Sequence, residues 1–91
     1  MKKGNINNSQ LKKLLKNKVI LITGGAGSIG SSLTKKLLDY QVKSIRVFDI
    51  NEHALFKLNH SLDDSRLEPL FGDILDKDRI ESASLGADII I

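Results

Sequence analysis

Val19-Ile20-Leu21-Ile22-Thr23-Gly24-Gly25-Ala26-Gly27-Ser28-Ile29-Gly30 is the stretch whose reading decides the fold. Its first five residues are aliphatic or β-branched throughout, the pattern of a parallel strand buried on both faces. Glycines follow at once. From Ser28 the spacing predicts a helix, with Ile29, Leu33 and Leu37 on one stripe, ending near Asp39 or Tyr40. A strand that turns through glycines straight into a helix leaves the first-turn N–H groups without intrahelical acceptors, at the favourable end of the helix dipole. Those donors suit a phosphate, and small residues let the backbone approach it. In this reading Gly24 turns the chain off the strand, Gly27 admits the phosphates, and Gly30 lets the helix pack on the strand. Ser28 and Ile29 offer amides beside Ala26, and the Ser28 hydroxyl adds a further donor.

A glycine triplet alone is also compatible with a merely structural turn. Here it lies between a buried-strand pattern and an amphipathic helix, inside a unit of βαβ size, which points to a dinucleotide. A mononucleotide phosphate loop needs lysine after the last glycine, and that position is Ser31. Downstream, Ile45 to Asp49 reads as a second strand. Asn51 caps a helix carrying Leu55, Leu58 and Leu62. Glu68-Pro69-Leu70-Phe71 is a third strand, placed at a sheet edge because proline lacks a ladder donor. Asp76 caps a third helix closed by Gly86, and Asp88-Ile89-Ile90-Ile91 begins a fourth strand. Right-handed crossovers turn this alternation into an α/β, Rossmann-type parallel sheet of order 3-2-1-4, helices on both faces, incomplete at four strands.

Asp49 ends the second strand nineteen residues past Gly30. A carboxylate there accepts from the ribose hydroxyls and repels a 2′-phosphate, so NAD is expected ahead of NADP. Asp49 as a plain turn or capping residue stays open. Arg46 is expected to point elsewhere. Asp73, at the carboxyl edge, is placed to accept from an adenine amino group or to serve as a turn aspartate. His53 and His60 are seven residues apart, about 10 Å along a helix, too far to share a metal unaided.

The chain has 91 residues, no cysteine and a net charge of +3. It makes at most one small domain, without disulfides or thiolate metal sites. Charge is uneven: six lysines and no acid lie in residues 1–18, leaving eight basic against eleven acidic residues beyond. Residues 1–17 are read as a basic leader, frayed over Met1 to Asn8, with a short amphipathic helix packing Leu11, Leu14 and Leu15. Residues 18–91 are read as the N-terminal part of the nucleotide-binding domain. No aromatic residues interleave the lysines to stack bases, so the leader is read as a solvated face rather than a nucleic-acid or membrane surface. No membrane span and no export signal are seen, and a cytoplasmic protein is expected.

Thr23-Gly24-Gly25-Ala26-Gly27-Ser28-Ile29-Gly30 resembles the TGxxGxxG signature of extended short-chain dehydrogenases/reductases. Together with Ile45-Arg46-Val47-Phe48-Asp49 and Gly72-Asp73-Ile74, it resembles the polysaccharide-biosynthesis (CapD-like) branch, which includes UDP-N-acetylglucosamine 4,6-dehydratases and nucleotide-sugar epimerases. Ser32 and Ile50 depart from that branch's usual Glu and Asn. The resemblance implies a tightly held NAD(P) that removes and returns a hydride on a UDP-sugar. It places Gly24, Gly27, Ser28 and Ile29 at the pyrophosphate, Asp49 and Asn51 at the ribose, and Asp73 with Ile74 at the adenine. Many members of the branch prefer NADP. The family's Tyr-x-x-x-Lys pair and sugar-binding domain are expected beyond Ile91: Tyr40 is the only tyrosine, and Ser44 stands four residues on. Binding of a UDP-sugar is therefore expected only with a further C-terminal part. A small non-catalytic NAD-binding module and an inactive remnant are the alternatives. Self-association through a bare sheet edge is also expected.

Overall fold

The computed structural model describes residues 8–91. A central strand β1 (Val19–Thr23) pairs with β2 (Ser44–Asp49) on one side and β4 (Ile89–Ile90) on the other, and β3 (Leu67–Phe71) lies outside β2. Every pairing is parallel, and the order is β3-β2-β1-β4 as the alternation predicts. Pro69 sits on β3 opposite Val47, in a strand with one neighbour among the described residues, where its missing donor breaks no second ladder.

Strand alternation divides the core. Ile20, Ile22, Ile45, Val47 and Leu67 face three helices: α1 (Asn8–Leu15), α2 (Ser28–Leu37) and α3 (Glu52–Leu62), which contribute Leu15, Leu37 and Leu55. Leu21 and Phe48 face the other side and meet Ala83 of α4 (Lys77–Ser84). Asn51 caps α3 by accepting from the Ala54 amide at 3.0 Å. Asp76 caps α4 from the Arg79 amide at 3.2 Å, and Gly86 follows that helix at φ +77°.

Three details differ from the sequence reading. α2 stops at Leu37, short of Asp39. Ile29 is 86% exposed rather than aligned with buried Leu37, because the first turn of α2 overhangs the carboxyl edge of the sheet. In α1, Leu15 is buried and Leu11 packs beside it, but Leu14 is 52% exposed on the outer side. The fraying expected of the N-terminus falls on residues 1–7, outside those described; Asn8 already belongs to α1.

Two arginines tie the elements together. Arg46 points away from the end of its strand toward α4, donating to the carbonyls of Ala83 (2.8 Å) and Leu85 and pairing with Glu68 at 3.5 Å. Arg66 donates to the carbonyls of Leu38 (2.7 Å) and Tyr40 (2.8 Å), capping the end of α2, and grips both oxygens of Asp64. The Arg66 side chain is 30% exposed and Asp64 24%, so the pair is better shielded than an open surface ion pair. Hydrogen bonds from the Arg66 side chain and amide hold the Asp64 carboxyl at about 2, below its ordinary 3.8. Folding therefore favours the ionised form, and the resulting stability is complete above pH 4 and lost as pH falls toward 2. Arg66→Ala is expected to lower unfolding free energy by about 2 kcal/mol at neutral pH, since it removes charged donors from two helix-end carbonyls. Urea titrations of Asp64→Asn between pH 5 and 2 should show a shallower acid loss than the parent; an equally steep one would mean the pair contributes nothing.

Candidate functional site

The loops that leave β1, β2 and β3 at their carboxyl ends form one connected surface. Thr23 anchors the end of β1: its amide and hydroxyl both donate to the Ile91 carbonyl, at 3.0 and 2.9 Å. Gly24 then takes φ +67°, a conformation that L side chains resist, and its amide donates to the Phe48 carbonyl at 2.7 Å. The four glycines of the loop answer to different constraints. A methyl on Gly25 would lie 2.4 Å from Val47 Cγ1, and one on Gly30 would lie 2.4 Å from the Gly24 carbonyl oxygen. Both positions are closed by the protein's own packing. At Gly27 the backbone is ordinary (φ −72°), and a methyl would meet its nearest atom at 3.5 Å, an unstrained contact. Nothing within the fold asks for glycine there.

Gly27 is also the N-cap of α2, and no side chain caps that helix. The other two helices laid on the sheet after a strand, α3 and α4, receive Asn51 and Asp76. The first-turn amides of Ser28, Ile29 and Gly30 thus have neither an intrahelical nor a side-chain acceptor, at the positive end of the helix dipole. Ser28 and Ile29 are exposed. A groove of about 310 Å³, lined by Ala26, Ser31, Ala54, Lys57, Leu58 and Ser61, runs from the loop along α2 and α3.

Asp49 joins the three loops. Its Oδ2 accepts from the Ala26 amide at 3.0 Å, its Oδ1 from the Asn51 amide at 2.9 Å, and its carbonyl from the Gly72 amide at 3.0 Å. The turn role and the loop-fixing role therefore belong to the same carboxylate, and each oxygen keeps a further lone pair. Asn51 uses its side-chain oxygen as the α3 cap. Asp73 accepts from the Leu75 amide at 2.9 Å, and its carbonyl receives the Asp76 amide, so it shapes the turn into α4. Ile50 and Ile74, on adjacent loops, are 61% and 58% exposed. Gly24, Ala26, Gly27, Ser28, Ile29 and Gly30 follow the end of β1, Asp49 ends β2 with Asn51 just after it, and Asp73 and Ile74 follow β3, so the residues read from the sequence as cofactor contacts share this edge.

Two contributors had no role assigned from sequence. A methyl on Gly72 would fall 2.7 Å from Phe48 and 2.8 Å from Arg79. Arg79 in turn donates to the Phe71 carbonyl at 2.9 Å and lies 5.8 Å over the Phe48 ring. The glycine was visible; the partners that demand it are distant in the chain. His53 and His60 gather no further ligands, and among the described residues no three His, Asp or Glu side chains form a metal cluster. No helix among them is long and apolar enough to cross a membrane.

Residues 20–91 match the family described as polysaccharide biosynthesis protein. An uncharacterized membrane protein of Methanocaldococcus jannaschii is 48% identical over 75 residues, 82% of this chain and 22% of the relative. The inverting UDP-N-acetylglucosamine 4,6-dehydratase of Campylobacter jejuni is 35% identical over 75 residues, 81% of this chain and 22% of the relative. Among solved structures, Pen from Bacillus thuringiensis superposes with a TM-score of 0.79 at 37% identity, covering 84% of this chain and 24% of that one. The enzyme WbmF of Bordetella bronchiseptica, solved in complex with NAD+, superposes at 0.66 with 26% identity, covering 85% and 23%. The chain thus spans less than a quarter of the length of these proteins. Fold, glycine signature and family match agree: the chain belongs to the polysaccharide biosynthesis protein family, on the Rossmann-type fold of short-chain dehydrogenases/reductases.

Proposed function

We propose that this chain is the NAD-binding portion of a nucleotide-sugar dehydratase or epimerase acting on a UDP-sugar. The observation that carries the reading is Gly27, which the fold itself does not require, at the helix end that no side chain caps. A ligand of negative charge explains both features at once. The relatives whose names state an activity or a bound molecule, a UDP-N-acetylglucosamine dehydratase and an NAD+ complex, support that class.

In this reading Gly24, Ala26, Gly27, Ser28, Ile29 and Gly30 surround the pyrophosphate, with the amides of the α2 first turn as donors. Asp49 accepts from the ribose hydroxyls with the lone pairs left by the Ala26 and Asn51 backbone amides, and Asn51 follows it on the same loop. Asp73 accepts from the adenine amino group, and exposed Ile74 covers part of the ring. NAD takes precedence over NADP because the Asp49 carboxylate opposes a second charge on the ribose. A bound nicotinamide would supply reversible hydride acceptance. The side chains that hold the sugar and move its protons are not in these 91 residues: Tyr40 lacks a lysine four positions on. A non-catalytic NAD-binding module would share every one of these contacts and differ only in lacking that complement.

Calorimetric titration of the purified chain tests the site. Gly27→Asp is expected to abolish NAD binding. Gly27→Ala should weaken binding while costing less than about 1 kcal/mol of stability, the scale of an N-cap change. Gly30→Ala should instead cost about 1–3 kcal/mol through overpacking. A folded Gly27→Asp variant that binds as tightly as the parent would overturn the reading. The parent should prefer NAD to NADP, and Asp49→Asn should narrow the preference about tenfold, the equivalent of roughly 1.4 kcal/mol of charge repulsion. An unchanged ratio in a correctly folded variant would remove Asp49 from the ribose.

The outer edge of β4, with Ile90 and Ile91 half-exposed, is bare among the described residues. We infer that the isolated chain self-associates along it. Sedimentation should show mass rising with concentration; a monomer throughout would dismiss the idea.

A further inference from the structure

Opposite the glycine loop, the amino edge of the sheet gathers lysines from three places in the chain. α1 brings Lys12 and Lys13, and Lys16 and Lys18 follow it. The chain then binds the start of β2: the Asn17 amide donates to the Gln41 carbonyl at 2.8 Å, and the Lys43 amide to the Lys18 carbonyl at 2.9 Å. α2 runs back against the strands, so its last turn carries Lys35 and Lys36 to the same edge. Asp39 marks the junction, lining one cleft with Lys12 and a neighbouring groove with Lys35 and Lys36. Six of these seven lysines are exposed, and Lys18 is half-buried. Of the other acids near this edge, Asp64 is held by Arg66, Asp88 accepts from the Val19 amide, and Asp63 follows α3.

Leu14 lies within this charge. It is 52% exposed, while Leu15 beside it is buried and Leu11 packs on the core. The helix therefore spends two leucines on the domain and turns a third outward between lysines.

The exposure of Leu14 departs from the purely solvated face read from the sequence: we propose that this lysine-rich end, with Leu14 protruding from it, docks on an anionic lipid surface and leaves the glycine-loop edge facing away from the membrane. Charge complementarity selects the partner's sign, and Leu14 selects its kind: an outward leucine among lysines gains by entering the acyl boundary. Nucleic acid fits less well. The seven exposed or half-buried cations of this end are lysines rather than arginines, whose planar fork reads phosphates and guanine edges; Arg66 nearby is occupied by Asp64, and an exposed leucine has no base to stack on. The inference is independent of the cofactor reading, because it uses none of the residues at the carboxyl edge.

Co-sedimentation of the 91-residue chain with vesicles tests it. Binding to vesicles of phosphatidylcholine with a quarter phosphatidylserine is expected to exceed binding to phosphatidylcholine alone by more than about tenfold at low salt, and to fall as salt rises. Lys12→Glu with Lys16→Glu should weaken it by at least about fivefold per site. Lys35→Glu with Lys36→Glu, on a different helix, should do the same and guards against a local fault in α1; circular dichroism confirms that each variant is folded. Leu14→Ser should reduce binding without altering its salt dependence. Equal binding to both vesicle types, no binding to either, or a Leu14-independent preference for duplex DNA over the anionic vesicles would overturn the proposal.

Discussion

The first turn of α2 rests on the backbone of the β1 turn with no room for a methyl group. Gly30 occupies that contact, and the Gly24 carbonyl it faces is not free to swing aside, because it also accepts from the Gly27 amide at 3.2 Å. The Gly24 amide in turn is fixed to Phe48 on the neighbouring strand. Helix start, turn and sheet thus form one rigid joint. From it α2 leaves at an angle that drives Thr34 and Leu37 into the domain, and the buried Thr34 hydroxyl is satisfied by the Gly30 carbonyl at 2.8 Å. The same joint aims the uncapped amides of Ser28 and Ile29 outward. One steric constraint sets both the packing of the helix and the direction of its donors.

Asp49 extends that joint to the next two loops. A carboxylate that accepts two backbone amides is held by charge-assisted bonds, so the Ala26 amide is positioned by a residue 23 places away. An aspartate at a strand end is often read either as a ligand contact or as a turn former. Here the alternatives are not exclusive: a carboxylate that fixes the glycine loop is also held in a defined place, from which the proposed dinucleotide's ribose could be met.

β1 was legible because a strand buried on both faces writes itself as an unbroken aliphatic run, and Pro69 marked the edge strand by chemistry alone. The α3 and α4 starts were legible because Asn51 and Asp76 act on amides three residues away. What escaped was long-range or lay beyond the sheet. Periodicity put Ile29 on a stripe with Leu33 and Leu37, but a stripe does not say where the sheet ends beneath it. Leu14 differs for another reason: it lies on the outer side of α1, away from the core that Leu11 and Leu15 meet. Arg66 and Arg46 terminate helices through carbonyls 26 to 39 residues away, a pairing with no local signature. Gly25 and Gly72 are glycines because of Val47 and Phe48, neighbours made only by strand register.

A parallel sheet sorts its surface by strand direction. Every loop that follows a strand opens at the carboxyl edge, where Ile29, Ile50, Ile74 and Leu75 remain exposed around the proposed dinucleotide site. Apolar side chains in such a place are poorly accounted for as solvent-facing residues, but they fit the walls of a site that a flat heterocycle and the rest of a longer protein would cover. The loops that precede strands open at the other edge, where charge can accumulate without disturbing the proposed dinucleotide site. That separation allows one small domain to present donors for an anion at one end and a field of lysines at the other. Had the lysines shared the glycine-loop edge, they would have competed with the α2 amides for the phosphates of the proposed dinucleotide, and Gly27 would no longer have singled out that helix end.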